Sequence, residues 1–446
     1  MIVEAWLQRA AAAAPVAIAV ETPRGACSYA QLHERAQAGA TELAARGGGP
    51  GERVAIALPA GLDFVYALHA CLLLGAVAVP VDLRLGERER ATILDGAAIV
   101  VDEPLRVNLA HGLSTGAAHD LDAVAAIIHT SGTTSAPKPV ELTYGNFLWS
   151  ALGSAVALGL DPGERWLCNL PLSHVGGLSI LVRSAIYATT AVVHERFDAE
   201  LTLRALFADF PSVTIVSLVA TTLARLLDAG FERPPALRCA LTGGGPVPDA
   251  LLERARAAGV AVSLTYGLTE ACSQVSTLPL AALRDERSAV PTAGPPLFCT
   301  RLRTSAEGEI EVAGPTVARG AAGADGWLHT GDLGRLNADG CLQVTGRKAD
   351  TIVSGGENVA PTEVEAVLES HPGVLEAAVL GRADERWGEA VTALVVLCAG
   401  ANVGEEALRA HCAARLAAYK VPKQVVLVEG PLPRTRSGKL VRREMI

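Results

Sequence analysis

The sequence predicts an α/β protein: a large layered N-terminal domain with mostly parallel sheets, followed by a small α+β C-terminal lid. Three observations carry this reading. Short buried-strand runs alternate with helix-period segments through the first part of the chain. From about Arg301 the texture changes to short alternating pieces separated by Gly and Asp turns. A polar, Gly-rich stretch, "GRKADTIVSGGENVAPTEVEAVLES", then leads into a fresh helix and a second set of strands.

Each element follows from its residues. "RVAIALP" and "AVAVPVD" read as buried strands flanking "DFVYALHACLLLG", a helix apolar on most faces, so the three form a βαβ unit. The alternation continues through "TIVSLV", "TTLARLLDAG", "LRCALTGGG" and "LLERARAAGVAVSLTYG". "GEIEVAG" and "GCLQVTGRK" read as antiparallel strands. Thr362 and Glu365 stand in capping-box spacing before the apolar stripe Val364, Val367 and Leu368. "EAAVLGRAD", "AVTALVVL" and the helical "EEALRAHCAARLA" complete a small domain of roughly 95 residues. The expected division is 1–347, a hinge at 348–350, and 351–446.

Composition narrows the function. The chain has 446 residues, half of them hydrophobic, which suffices for a large core and argues against disorder. A formal charge of -9 with no long basic run argues against nucleic acid as a partner. Nine cysteines without a CxxC pair or Cys/His cluster suggest neither a zinc site nor a disulfide framework, and fit a reducing cytoplasm. No basic n-region precedes an uninterrupted apolar run, so neither export nor membrane insertion is expected. Oligomeric state is not readable, and a homo-oligomer is compatible with the sequence.

One stretch carries chemistry on its face. "IIHTSGTTSAPKPVELTYGNF" places Thr130, Ser131, Gly132, Thr133, Thr134 and Lys138 between apolar runs. Backbone amides at a Gly turn and hydroxyl donors surround phosphate oxygens well, and a lysine offsets their charge. The spacing is not that of a Walker A loop. The same composition also suits a hydrophilic surface loop.

Further motifs follow in order: "NLPLSHVGGLSILVRS", "LTGGGPVP", "TYGLTEACSQVSTLP", "GWLHTGDLG", "VTGRKADTIVSGGENVAPTEVE" and "PRTRSGKLVRREM". With these the chain resembles the adenylate-forming acyl- and aryl-CoA ligase superfamily over nearly its whole length. "TYGNFLWSALGSAVALGL", "PLSHVGGLSILVRSAIY" and "YGLTEACSQVSTLP" resemble most the o-succinylbenzoate-activating branch, which serves menaquinone biosynthesis. The resemblance implies a two-step reaction. A small-molecule carboxylate attacks the α-phosphorus of ATP, with Mg²⁺, to give an acyl-adenylate and pyrophosphate; the thiol of CoA then attacks the acyl carbon. Another aryl- or acyl-CoA ligase, or a free-standing enzyme that loads a carrier protein, would share the nucleotide motifs.

The resemblance also assigns expected roles. Tyr266 and Gly267 offer adenine an aromatic face and close backbone approach. Gly243, Gly244 and Gly245 line the adenine and acyl pockets. Thr269 donates to an α-phosphate oxygen, and Glu270 helps hold Mg²⁺. Asp332 accepts from the ribose hydroxyls, and Arg347 contacts the nucleotide. His174 lies at the acyl-pocket wall. Ser273 and Gln274 are pocket donors, and Arg183 is a candidate partner for a substrate carboxylate, although it equally suits a surface position or a helix ion pair. Lys439 offsets charge in adenylation from a loop that rotation of the lid brings in. Gly355, Gly356 and Glu357 line the CoA passage after that rotation, which pivots at Lys348, Ala349 and Asp350. The chain departs from the usual pattern at Ser135 and Pro139, where glycines are common, and at Ala349, where Asp or Lys is common.

Overall fold

The computed structural model describes residues 1–446 except 107–117, 131–137, 209–210, 285–290, 355–356, 385, 435–439 and 446. Two sheets with helices between and around them make the body of the chain. The first has five strands in the order Ile99–Val101, Arg53–Ile56, Val77–Pro80, Val124–Thr130 and Lys138–Thr143, all parallel except the last. The second has eight. Its central strands Val262–Leu268, Cys239–Thr242, Ile215–Leu218, Arg165–Cys168, Thr190–Val193 and Ile18–Thr22 run parallel, with Ser273–Thr277 and Gly25–Ser28 antiparallel at the edges. The predicted βαβ unit is present as Arg53–Ile56, helix Leu62–Leu74 and Val77–Pro80. That helix is buried on nearly every face because it lies in the main apolar core between the sheets.

Beyond these lies a four-stranded antiparallel sheet of Arg301–Thr304, Glu309–Ala313, Leu328–Leu336 and Leu342–Arg347, as the change of texture near Arg301 predicts. A 3-10 turn, Lys348–Asp350, follows. Ile352–Ser354, Glu357–Val359, Val374–Asp384, Gly388–Leu397 and Gln424–Leu427 form a separate five-stranded sheet whose core includes Ile352, Val364, Leu368, Val379, Val391 and Leu408, while Ile2–Glu4 and Ala118–Asp120 pair in a two-stranded one.

The start of the helix Pro361–Glu369 differs from expectation. Its N-cap is Ala360, with no capping side chain, and Pro361 occupies the first turn. Proline's fixed φ starts the helix there, so Thr362 and Glu365 fall inside it. Thr362 donates its hydroxyl to the carbonyl of Thr345, and Glu365 accepts from the backbone of Val379 and from Arg442. The stripe itself is as predicted: Val364 and Leu368 are fully buried.

A buried aromatic cluster joins the N-terminus to this frame. His119 stacks on Tyr144 at 4.4 Å, meets Trp6 edge-on at 4.8 Å, and accepts the backbone N–H of Trp6 at Nε2, 3.2 Å away. Burial pushes both His119 and nearby His69 down to about 4. In the unfolded chain both titrate near 6.5. Stability is therefore complete above that value and falls as pH drops toward 4, because the unfolded state takes up the protons first. Lowering pH from 7 to 5 is expected to cost on the order of 2 kcal/mol per histidine. Thermal melts across that range check it. A His119→Gln variant, which keeps an acceptor for Trp6 and cannot ionise, is expected to flatten the slope; an unchanged slope would count against the cluster as its source.

Candidate active site

The predicted phosphate loop joins two antiparallel strands. Thr130 and Lys138 face one another at the mouth of this hairpin, where the Thr130 hydroxyl donates to the Lys138 carbonyl at 3.3 Å. Ser131, Gly132, Thr133, Thr134 and the variant Ser135 lie outside the described residues. Lys138 is exposed. Pro139 stands opposite His129 on the edge strand of its sheet, a position that tolerates a missing N–H. The second strand passes directly into the helix Tyr144–Leu158 through a capping box, with Thr143 and Asn146 bonding reciprocally at 3.0 and 2.8 Å.

The parallel strands of the eight-stranded sheet present their carboxyl ends on one side, where open α/β sheets bind ligands. His174 holds the N-cap position of the helix Val175–Tyr187, with no side-chain capping bond, in the segment that follows the strand Arg165–Cys168, and Asp82 lies close enough to interact with its charge. Gly243 to Gly245 follow another strand, with Gly244 and Gly245 exposed. Tyr266 and Gly267 end in the turn Thr269–Ala271. Two of these glycines are obligatory. A Cβ at Gly267 would lie 1.7 Å from the carbonyl oxygen of Ser273, and one at Gly243 would lie 2.6 Å from that of Thr265. Glu270 is half-buried, and among the described residues its carboxylate has no ion-pair or hydrogen-bond partner.

A polar chain ties this edge to the antiparallel sheet. The hydroxyl of Tyr266 donates to Asp332 Oδ2 at 2.8 Å, and Arg347 Nε pairs with Asp332 Oδ1 at 2.9 Å. The three residues come from three separate motifs. Tyr266 is buried, and desolvation with the adjacent Asp332 carboxylate raises its phenol, which stays protonated as a donor. Lys348, next in the chain, pairs with Glu309 Oε2 at 3.1 Å, while the other Glu309 oxygen accepts the N–H of Gly331 at 3.0 Å. Ala349 is exposed, and Asp350 pairs with Arg442 at 2.8 Å. Sequence reasoning passes over Glu309 and Arg442; the signal for Glu309 is a carboxylate inside the strand "EIEVA", all of whose residues are buried. Glu357 is exposed on the strand Glu357–Val359; Gly355, Gly356 and Lys439 are outside the described residues.

Arg183 is not a surface residue, and among the described residues it is not half of an ion pair. It is 3% exposed, and its Nε and Nη2 atoms have no hydrogen-bond partner among the described residues. Its guanidinium lies 4.8 Å from the ring centroid of Trp166, with Tyr187 and Cys272 also near. The helix carrying it is buried on nearly every side, so the charge lies in the core between that helix and the sheet. Burial lowers its pKa, and an arginine nevertheless keeps its proton. Gln274 is also buried. Its amide donor is turned onto Thr277 at 2.8 Å, so the group left without a partner is its carbonyl oxygen rather than a donor. Ser273 is half-buried beside it.

Comparison with known proteins matches this arrangement. The model of the AMP-binding enzyme family covers residues 7–102 and 101–321, and that of the AMP-binding enzyme C-terminal domain covers 363–439. The chain belongs to the AMP-binding enzyme family. Among curated members, the 2-succinylbenzoate–CoA ligase of Geobacillus kaustophilus (strain HTA426) is 40% identical, with 99% of this chain and 96% of that protein aligned. The 2-succinylbenzoate–CoA ligase of Bacillus subtilis (strain 168) is 38% identical over 99% and 97%. A solved structure of o-succinylbenzoate CoA synthetase from Bacillus subtilis, in complex with the acyl-adenylate intermediate OSB-AMP, superposes with TM-score 0.91 at 37% identity, covering 100% of this chain and 98% of that one. A double mutant of the same synthetase bound with the product analogue OSB-NCoA gives TM-score 0.74 at the same identity and coverage. The AMP-binding enzyme described here is therefore arranged more like the adenylate complex than like the product-analogue complex. Among the described residues no helix is long and apolar enough to cross a membrane.

Proposed function

We propose that the chain joins 2-succinylbenzoate to CoA at the expense of ATP, through an acyl-adenylate. The observation that carries the substrate assignment is Arg183. A buried guanidinium without a counter-ion is costly, and water solvates it without neutralising it. A dicarboxylate supplies what is missing: one carboxylate is activated while the other pairs with Arg183 in a low-dielectric pocket. An unsubstituted benzoate or a fatty acid has no second anion to offer. The relatives' printed substrate is such a diacid.

In the first step a carboxylate oxygen attacks the α-phosphorus of ATP and pyrophosphate leaves. Thr130 to Thr134 and Lys138 hold phosphate oxygens, Thr269 donates to the α-phosphate, and Lys439 offsets the charge that gathers there. Tyr266, held by Asp332, presents its ring to adenine with Gly243 to Gly245 beside it; Asp332 retains lone pairs for the ribose hydroxyls, and Arg347 fixes its carboxylate. Glu270, an unpaired half-buried carboxylate, fits Mg²⁺, which takes one protein oxygen with phosphate and water oxygens and supplies Lewis-acid charge. In the second step the CoA sulfur attacks the acyl carbon and AMP leaves. His174 borders the acyl group, and Gly355, Gly356 and Glu357 line the thiol's approach. Residues 1–347 and 351–446 act as the two parts that turn about 348–350 between the steps. All nine cysteines are free, and the enzyme is proposed to work in the cytoplasm.

The test is pyrophosphate release over a panel of acids, with and without CoA. Release is expected only with an acid present, highest kcat/KM with 2-succinylbenzoate, and thioester only with CoA. ADP and orthophosphate as products would overturn adenylation. A higher kcat/KM with benzoate or a medium-chain acid would overturn the substrate, and acyl-adenylate that CoA leaves unconsumed would point to a carrier-loading enzyme.

A further inference from the structure

The corner that follows Glu270 is strained. Cys272 (φ 51) and Ser273 (φ 88) are consecutive non-glycine residues in the left-handed region, a conformation that L side chains rarely adopt. Such a corner persists only where its surroundings hold it. On one side its backbone is pressed against Gly267, where no side chain fits. On the other, the hydroxyl of Ser150 donates to the carbonyl of Cys272 at 2.7 Å. Ser150 is 1% exposed, so this bond forms away from water and fixes the direction of the Cys272 peptide.

Ser150 lies on the Tyr144–Leu158 helix, which begins where the phosphate hairpin ends. The same helix reaches the corner a second way. Asn146 donates to the carbonyls of Pro315 and Val317 at 2.8 and 3.1 Å, and the next residue, Ala318, donates its N–H to the carbonyl of Glu270 at 2.8 Å. Cys272 also neighbours Arg183. One helix therefore reaches both the phosphate hairpin and the turn that leads from Glu270 to Ser273.

We infer that Ser150 is a positioning residue for acid recognition: its hydrogen bond holds Cys272 and Ser273 left-handed and so fixes Ser273 and the Cys272 wall of the Arg183 pocket. This rests on the reading that Arg183 and Ser273 face the acid. Without the bond the corner relaxes toward ordinary φ values and the acid loses its fit, while the nucleotide contacts of Tyr266, Asp332 and Arg347 stay as they are.

The test uses the full-length enzyme in the pyrophosphate assay. Ser150→Ala is expected to raise KM for the acid about tenfold and leave KM for ATP within about twofold. Glycine adopts the left-handed region freely, so Cys272→Gly placed in the Ser150→Ala background is expected to recover most of that loss. The Cys272→Gly single variant and thermal melts of all three proteins complete the cycle. An unmoved acid KM in Ser150→Ala, equal rises for acid and ATP, or independent losses in the double variant would each overturn the role. The parent is assayed first with 2-succinylbenzoate. No release there defeats the substrate reading, and the cycle is then run on whichever acid the parent activates, where it bears on Ser150 alone.

Discussion

Replacing Arg183 with leucine is expected to lower kcat/KM for 2-succinylbenzoate by on the order of 100- to 1,000-fold, with KM for ATP nearly unchanged. The magnitude follows from removing one partner of a desolvated charge pair, which leaves the substrate's second carboxylate buried and unpaired. The loss is expected to be selective. Benzoate carries no second carboxylate, so its activity, whatever its level, is expected to change little, and the preference for the diacid collapses. Arg183→Lys is expected to recover only part of the activity, since an ammonium lacks the planar fork that grips a carboxylate and the stacking on Trp166. Stability supplies an independent sign. An arginine kept for structure would lower the melting temperature when removed, whereas one that awaits an anion destabilises the free protein, so the ligand-free leucine variant is expected to melt at or above the parent. Equal loss with diacid and monoacid, together with a lower melting temperature, would reassign Arg183 to the scaffold.

The same residue shows where sequence reading stops. The strands and helices around it were legible because each carries its own period: "RVAIALP" and "DFVYALHACLLLG" become a strand and a buried helix as written. Arg183 had no such signal. Whether an arginine in an apolar helix faces water or the core depends on what packs against all sides of that helix, and the Trp166 strand is a separate element. Contacts across the chain were equally hidden. Tyr266 and Asp332 meet only through the pairing of distant strands, and Ser150 reaches Cys272 because a helix crosses behind the turn. The left-handed corner at Cys272 and Ser273 was invisible for another reason: no glycine marks it, so its conformation is imposed by neighbours rather than announced by composition. At Thr362 a local pattern was present and misled, since Pro361 begins the helix before the supposed cap. Motif residues are thus readable where chemistry selects the residue type, and unreadable where packing selects its environment.

Lys439→Ala is expected to separate the two half-reactions. The lysine lies outside the described residues, and its flanks are firmly anchored. Arg434 and Leu440 pair across the segment in a single antiparallel bridge, and Val441 donates its N–H to the carbonyl of Pro433 at 2.9 Å. Arg442, three residues beyond Lys439, binds Glu365 with two bonds of 2.7 and 2.9 Å, the carbonyl of Val379 at 3.0 Å, and Asp350 in the 348–350 turn at 2.8 Å. The base of the lysine segment is therefore bonded to the proposed pivot itself, so a rotation there would carry the lysine with it. The chain's greater similarity to the adenylate complex than to the product-analogue complex fits an adenylating arrangement, in which a cation is useful because carboxylate and phosphate anions converge. Thiol attack brings no such gathering of charge. Loss of one charge contact in the transition state costs on the order of 100- to 1,000-fold in rate, so pyrophosphate release from ATP and acid is expected to fall by that factor in the variant. Thioester formation from presynthesised acyl-adenylate and CoA is expected to stay within a few-fold of the parent, so the two losses differ by about an order of magnitude or more. Comparable losses in both assays, in a variant with the parent's melting temperature, would defeat the two-arrangement account. Unchanged adenylation would remove Lys439 from the catalytic set and leave the charge of the first step to Lys138 and Mg²⁺.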